Sequence, residues 1–297
     1  MKALDIETRI QLRNVLLATD FSPAADAAIP YAVELVKHYG AKLYAFHARP
    51  RVIDSLTPME SWNALEEAAK VQAEQEKGKL LEEFGGMKAE ILIEEGDLWS
   101  TLMGTIEGNH IDLIVTGTRG RSGIRKFLLG SAAEAIFRQA PCPVLTVGPK
   151  SPAKPKHSGE FTSILFATDF NPESLAAAPY ALSLSQEYQA HLTLLHVIEE
   201  PKAGDLVLPY ELVSSSERLL RNIVPEEPSL WCVPEYVVEC GSPDVKILEV
   251  AKKREADLIV LGVRRPAGIP GAAEHLPIAT AHSVVSRAEC PVLTVRG

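Results

Sequence analysis

The chain has 297 residues, 46% of them hydrophobic and 23% charged, which is room for about two domains that each bury a core. Its net charge of −9 argues against a general nucleic-acid binder or a protein that coats anionic membranes, yet leaves room for a local basic site for phosphates. No stretch approaches the roughly 18 apolar residues of a spanning helix, and the opening MKALDIETRIQLRN lacks the apolar run of a secretory signal, so a cytoplasmic protein is expected.

Short β-branched and leucine-rich runs alternate with longer helical patterns. A strand is predicted near 13–18, a helix over 23–39, a strand at 42–48, a helix over 60–84 and a strand at 89–94. A helix over 97–108, a strand at 111–117, a helix over 131–139 and a strand at 143–148 follow. The segment PKSPAKPKHSGE at 149–160 has the Pro, Lys and Ser content of a linker. Beyond it, strands are predicted near 162–168, 191–198, 235–239, 256–262 and 291–296. Alternating strands and helices imply parallel strands with right-handed crossovers covering both faces. LIVTG and LIVLG are apolar almost throughout, as strands buried on both faces should be. Segment 60–84, rich in Ala, Glu, Gln and Lys, reads as the solvated face of a long helix.

The second half repeats the first. VLLATDFSP at 15–23 returns as ILFATDFNP at 164–172, an offset of 149. At the same offset Pro30-Tyr31-Ala32 matches Pro179-Tyr180-Ala181, Tyr39 matches Tyr188, and His47 matches His196. Gly96 matches Gly241 and IDLIVTG at 111–117 matches ADLIVLG at 256–262, both at offset 145. CPVLTV recurs at 142–147 and 290–295, at offset 148. A period near 148 residues is a duplicated domain rather than a solenoid. The expected division is 1–148, a linker at 149–160, and 161–297. Cys142 and Cys290 occupy matching places and, with Cys232 and Cys240, form no CxxC pair. They read as thiols buried at the start of a core strand, not as metal ligands or a disulfide.

In a sheet of this class ligands bind beyond the carboxyl ends of the strands, where strand order reverses. The richest segment there is the loop after the fourth strand, Gly117-Thr-Arg-Gly120-Arg-Ser-Gly-Ile-Arg-Lys-Phe-Leu-Leu-Gly130-Ser131. Gly117 and Gly120 allow tight turns that bring N–H groups to a ligand, and Gly130-Ser131 opens a helix whose free amides and dipole favour an anion. Arg119, Arg121, Arg125 and Lys126 make the loop basic. These residue types fit a phosphate cradle, and they equally fit a flexible glycine loop with a helix-capping serine. The segment is neither a Walker loop nor a dinucleotide GxGxxG.

The spacing Gly-x2-Gly-x9-Gly-Ser, the opening ATDFS at 18–22, the strand-two ending with His47 and the terminal PCPVLTV together resemble the universal stress protein family, over nearly the whole chain and twice. The resemblance implies an α/β fold of two tandem Rossmann-like (adenine nucleotide alpha hydrolase-like) domains. Each would be a five-stranded parallel sheet of order 3-2-1-4-5 flanked by helices, and the two would pair through their last strands as an intramolecular pseudo-dimer. It also implies ATP, carried with Mg2+, as the ligand. Asp20 would sit by the adenosine, Ala48 would meet adenine through its backbone, and Gly117, Gly120, Gly130 and Ser131 would hold ribose and phosphates. Thr118 and Arg119 would line the same loop.

The second copy departs from this pattern. It keeps Asp169, and Val197 follows His196, but its loop runs from Gly262 through VRRPAGIPGAAEHLPIATA. Arg265 stands for Gly120, Ile278 for Gly130 and Ala279 for Ser131. Pro266, Pro270 and Pro277 stiffen the segment and each removes an N–H donor, although Gly268 and Gly271 could build a different nest. Nucleotide is therefore expected in the first domain only.

Three functional classes remain: an ATP-binding regulatory protein of the stress response, a slow ATPase or phosphotransferase, and a structural or chaperone-like tandem protein without nucleotide. The first is preferred. Asp20 is the one obvious carboxylate near the loop, and no GxSxG, HExxH or triad order is present, so no catalytic residue is assigned. His47 and His196 read as strand-end histidines packed under the loop. His275 and His282 lack partners at ligand spacing, so no metal is assigned. The expected partners are an adenine nucleotide and the chain's own other half, with homodimer formation left open; neither nucleic acid nor membrane is expected.

Overall fold

Apolar runs too short for helices become the sheet, and the amphipathic stretches between them become its cover. The computed structural model describes residues 9–49, 59–118, 129–152, 160–199, 210–225, 233–264 and 276–297. The first copy contains β1 (Asn14–Ala18), α1 (Pro23–Asp26), α2 (Ile29–Tyr39), β2 (Lys42–Arg49), α3 (Met59–Glu83), β3 (Ala89–Glu95), α4 (Leu98–Gly108), β4 (Leu113–Gly117), α5 (Ser131–Gln139) and β5 (Val144–Val147). The second contains β6 (Ser163–Ala167), α6 (Pro172–Leu175), α7 (Ala178–Glu187), β7 (His191–Ile198), α8 (Tyr210–Arg221), β8 (Glu235–Cys240), α9 (Pro243–Lys253), β9 (Leu258–Val263), α10 (Leu276–Arg287) and β10 (Val292–Arg296).

The described strands form one ten-stranded sheet of order β3-β2-β1-β4-β5-β10-β9-β6-β7-β8. Within each half the order is 3-2-1-4-5 and the pairing is parallel. The halves join where β5 meets β10 antiparallel, with Leu145 opposite Leu293. This junction leaves neither last strand as an open edge, which would otherwise invite pairing with another chain. The core is continuous across it. Tyr31, Leu145 and Val147 belong to the same buried cluster as Phe161, Leu184, Leu293 and Val295. On the other face, Leu129, Ala133 and Phe137 around α5 pack into the second copy's cluster with Val284, Val285 and Ala288.

Two local features differ from the sequence expectation. The helix predicted over 23–39 is broken after Asp26, and α2 starts at Ile29 with Pro30 in its first turn. Pro30 has no N–H to give Asp26, so the helix cannot run through. Pro179 divides α6 from α7 in the same way. β4 also begins two residues later than expected, at Leu113, because Asp112 serves as a staple. Its Oδ2 accepts the N–H groups of Arg13 (2.7 Å) and Asn14 (2.8 Å) at the start of β1. Asp257 repeats the arrangement, accepting from the Thr162 N–H and hydroxyl (both 2.8 Å) and the Ser163 N–H (3.1 Å). Matching aspartates thus satisfy strand-end amides that the sheet leaves over. Among the described residues, no helix is long and apolar enough to cross a membrane.

Candidate functional site

β1 lies between β2 and β4, so the carboxyl ends of these three strands form the reversal point of the first half. Beyond β1 the chain turns sharply. The Thr19 N–H donates to the Phe46 carbonyl (3.0 Å), which prolongs the β1–β2 ladder by one bond. Phe21 then takes a left-handed conformation (φ 58°), held by its N–H donating to Thr19 Oγ1 (3.0 Å). Asp20 Oδ1 accepts the Ser22 N–H (3.1 Å), and Ser22 Oγ caps α1 by accepting from Ala25 (3.2 Å). Below the turn, His47 Nδ1 lies 2.8 Å from the Thr19 carbonyl, and Phe21 meets the imidazole edge-on at 4.8 Å. A carbonyl only accepts, so Nδ1 carries a proton in this bond. The result is a rigid turn that presents a half-buried Asp20 at the end of β1.

Ala48, half-buried, lies in β2 opposite Glu94. Its neighbour Arg49 ties β2 to α3 through Glu76 at 3.0 Å. Gly117 ends β4 opposite Val147, and the Thr118 N–H donates to the Val147 carbonyl (3.0 Å). The Thr118 carbonyl accepts the Gly130 N–H (2.8 Å), which draws the start of α5 against the end of β4. Gly130 is extended (φ −63°, ψ 154°) and has no side-chain cap, while Ser131 at the first helical position is exposed. A helix start of this kind has first-turn amides without partners inside the helix itself. Asp20, Ala48, Gly117, Thr118, Gly130 and Ser131 therefore all fall at one end of the sheet. Arg119 and Gly120 lie outside the described residues.

The second copy reproduces the turn and changes the helix start. Phe170 is left-handed (φ 66°) with its N–H on Thr168 Oγ1 (3.0 Å), and His196 Nδ1 lies 2.9 Å from the Thr168 carbonyl. Asn171 replaces Ser22 and binds both carboxylate oxygens of Asp169, by its N–H (3.1 Å) and its Nδ2 (2.8 Å). α10 is already helical at Leu276, so Ile278 and Ala279 are its third and fourth residues. The matching residues of the first copy, Gly130 and Ser131, are the cap and the first helical residue. Gly262, the match of Gly117, has α6 pressed against it, and a Cβ there would fall 2.3 Å from the Glu173 carbonyl oxygen and Ser174 Cα. Arg265, Pro266, Gly268, Pro270, Gly271 and His275 lie outside the described residues.

Sequence reasoning passed over Thr19 and Thr168, whose hydroxyls and carbonyls hold the turn. The signal was the Thr-Asp-Phe present in both copies. A cavity of about 360 Å³ lies at the opposite end of the second half, among Thr162, Thr193, Glu235 and Arg254. It is remote from the reversal point. Within it Arg254 pairs with Glu235, and Thr162 bonds to Asp257 behind its wall.

A sequence model of the universal stress protein family matches residues 11–148 and, a second time, 160–296. The chain belongs to the universal stress protein family. Similar relatives carry the same family name. One from Methanocaldococcus jannaschii is 32% identical over 149 residues, covering 48% of this chain and 84% of the relative. One from Mycobacterium tuberculosis is 24% identical over 297 residues, covering 95% and 97%, so it shares the full tandem length. The crystal structure of a universal stress protein from Archaeoglobus fulgidus superposes with a TM-score of 0.69 at 22% identity, covering 97% of this chain and 99% of that one. The tandem universal stress protein fold thus extends over both halves.

Proposed function

We propose that this chain is a cytoplasmic, ATP-binding regulator of the stress response, with Mg-ATP held by the first copy alone. The observation that carries the reading is the start of α5. An extended, uncapped Gly130 delivers first-turn amides and the exposed Ser131 hydroxyl to the end of the sheet that also presents Asp20. Amides of that kind suit phosphate oxygens, and the helix dipole favours their charge. Asp20 is engaged with the Ser22 amide within a rigid turn, which suits a carboxylate that positions a ligand better than one that moves a proton. Among the described residues the second copy differs here, because helix occupies the place of Gly130. Such a protein would act through conformation or choice of partner, with the loop after β4 ordering around phosphates as the two-state element.

The test is calorimetric titration of nucleotide-stripped protein with Mg-ATP. The expected result is one site per chain, weakened at least about 100-fold, or roughly 2.7 kcal/mol, by Gly130→Ile. Ile278→Gly combined with Ala279→Ser is expected to add no second site, since α10 has begun by Leu276. cAMP is titrated in parallel because one universal stress protein has been solved as a complex with it. Binding of cAMP alone would replace ATP as the ligand, and no binding of either to the wild type would end the nucleotide reading.

A further inference from the structure

In a pair of identical units, residues near the two-fold axis meet their own counterparts. The two halves of this chain keep that geometry. Leu145 and Leu293 occupy the same place in the repeated CPVLTV and lie opposite each other between β5 and β10. On one face of the sheet the ends of α2 and α7 come together in the same way. His38 and Glu187 occupy matching positions, each just before a matched tyrosine, Tyr39 and Tyr188. His38 Nε2 lies 3.8 Å from Glu187 Oε2, with side chains only 23% and 22% exposed. The imidazole also stacks on Tyr188 at 4.1 Å, with 20° between the rings. The tyrosines are thus shared by both copies, and the residue at the axis is the one that differs.

That difference has a direct electrostatic consequence. If the first copy met another first copy, imidazole would face imidazole; if the second met another second, carboxylate would face carboxylate. The latter sets two like charges together in a largely covered place, which is unfavourable. An imidazole facing a carboxylate carries no like-charge repulsion in either of its protonation states. Arg9, largely exposed, adds a further ion pair to Glu187 at 2.8 Å, but only from the rim. We propose that His38 and Glu187 act as a pairing code: the surface of the second copy accepts a first copy and rejects its own kind. The halves then close on each other in one chain, or on the opposite halves of another chain in an exchanged dimer.

The test uses four full-length proteins at low ionic strength: wild type, His38→Glu, Glu187→His, and the double variant in which the two residues change places. Each single variant is expected to lower Tm by about 2 °C, on the scale of a single lost ion pair in a protein of this size, and the exchanged double variant to recover most of that loss. Additive losses in the double variant would overturn the proposal. Refolding an equimolar mixture of the two single variants yields two histidine–glutamate pairs, one native and one reversed, only in an exchanged dimer, which light scattering on a sizing column would detect. A mixture that forms no more dimer than either variant refolded alone would also overturn it. Neither readout depends on nucleotide.

Discussion

The two copies share a turn and part company at a helix start. After β1 and after β6 the same Thr-Asp-Phe geometry recurs, down to a histidine Nδ1 within 2.8 Å or 2.9 Å of a threonine carbonyl. After β4, by contrast, α5 opens at Ser131 from an extended glycine, while α10 is helical at least three residues sooner. Three residues of helix advance the axis by about 4.5 Å, so Ala279 lies nearly a turn inside its helix while Ser131 stands at the start of its own. A duplicated fold can thus keep its sheet and its strand-end turn while the start of the following helix shifts by a few residues. The turn is structural in both copies, since the same hydrogen bonds hold it after β1 and after β6.

The glycine that ends β4 and the matching one near the end of β9 give the largest expected effects. Gly262→Ala is expected to cost about 3 kcal/mol in urea denaturation, because the new methyl group would meet the backbone of α6 rather than a movable side chain. α1 packs on β4 as α6 packs on β9, so Gly117→Ala is expected to cost a similar amount. A Gly117→Ala protein of unchanged stability that binds Mg-ATP more weakly would instead make Gly117 a ligand residue, and the two glycines would not be equivalent.

A smaller effect separates the two aspartate staples. Asp257 is 5% exposed and serves three donors, whereas Asp112 is half-buried and serves two amides. Asp257→Ala should cost about 2–3 kcal/mol and Asp112→Ala about 1–2 kcal/mol, read from denaturation midpoints. Equal losses would show that burial of the staple is irrelevant to its worth.

The smallest effect concerns the matched thiols. Cys290 is buried, while Cys142 is half-buried and the more accessible of the two. Burial nevertheless pushes the Cys142 thiol from 9.0 up to about 12, and thiols react as thiolates. At pH 8 neither should be alkylated in the folded protein, as mass spectrometry would check. Because the unfolded thiol ionises first, the contribution of Cys142 to stability is complete below pH 9 and is lost as pH rises toward 12. Rapid labelling of native Cys142 at pH 8 would contradict this.

Much of the molecule is written in local pattern. Buried strands require short apolar runs, crossover helices require amphipathic stretches, and a repeated ATDF and CPVLTV at nearly constant offset require two copies. The candidate site was legible as far as its residue types went, since Asp20, Gly130 and Ser131 carry the signal in themselves. The break before Pro30 is also a local effect, and the ring chemistry of proline accounts for it once the break is seen. Other features depend on what lies opposite, and no periodicity encodes that. Gly262 leaves no room for a Cβ because α6 crosses over it. Asp112 and Asp257 reach back to strands that precede them by about a hundred residues. His38 acquires meaning only from Glu187, which faces it across the junction of the two halves. The sequence by itself determined the elements, their order and their duplication, because these arise from the spacing of neighbours along the chain. Only tertiary contacts decided which glycine serves packing and which residues meet at the axis, because those are contacts between segments far apart in sequence.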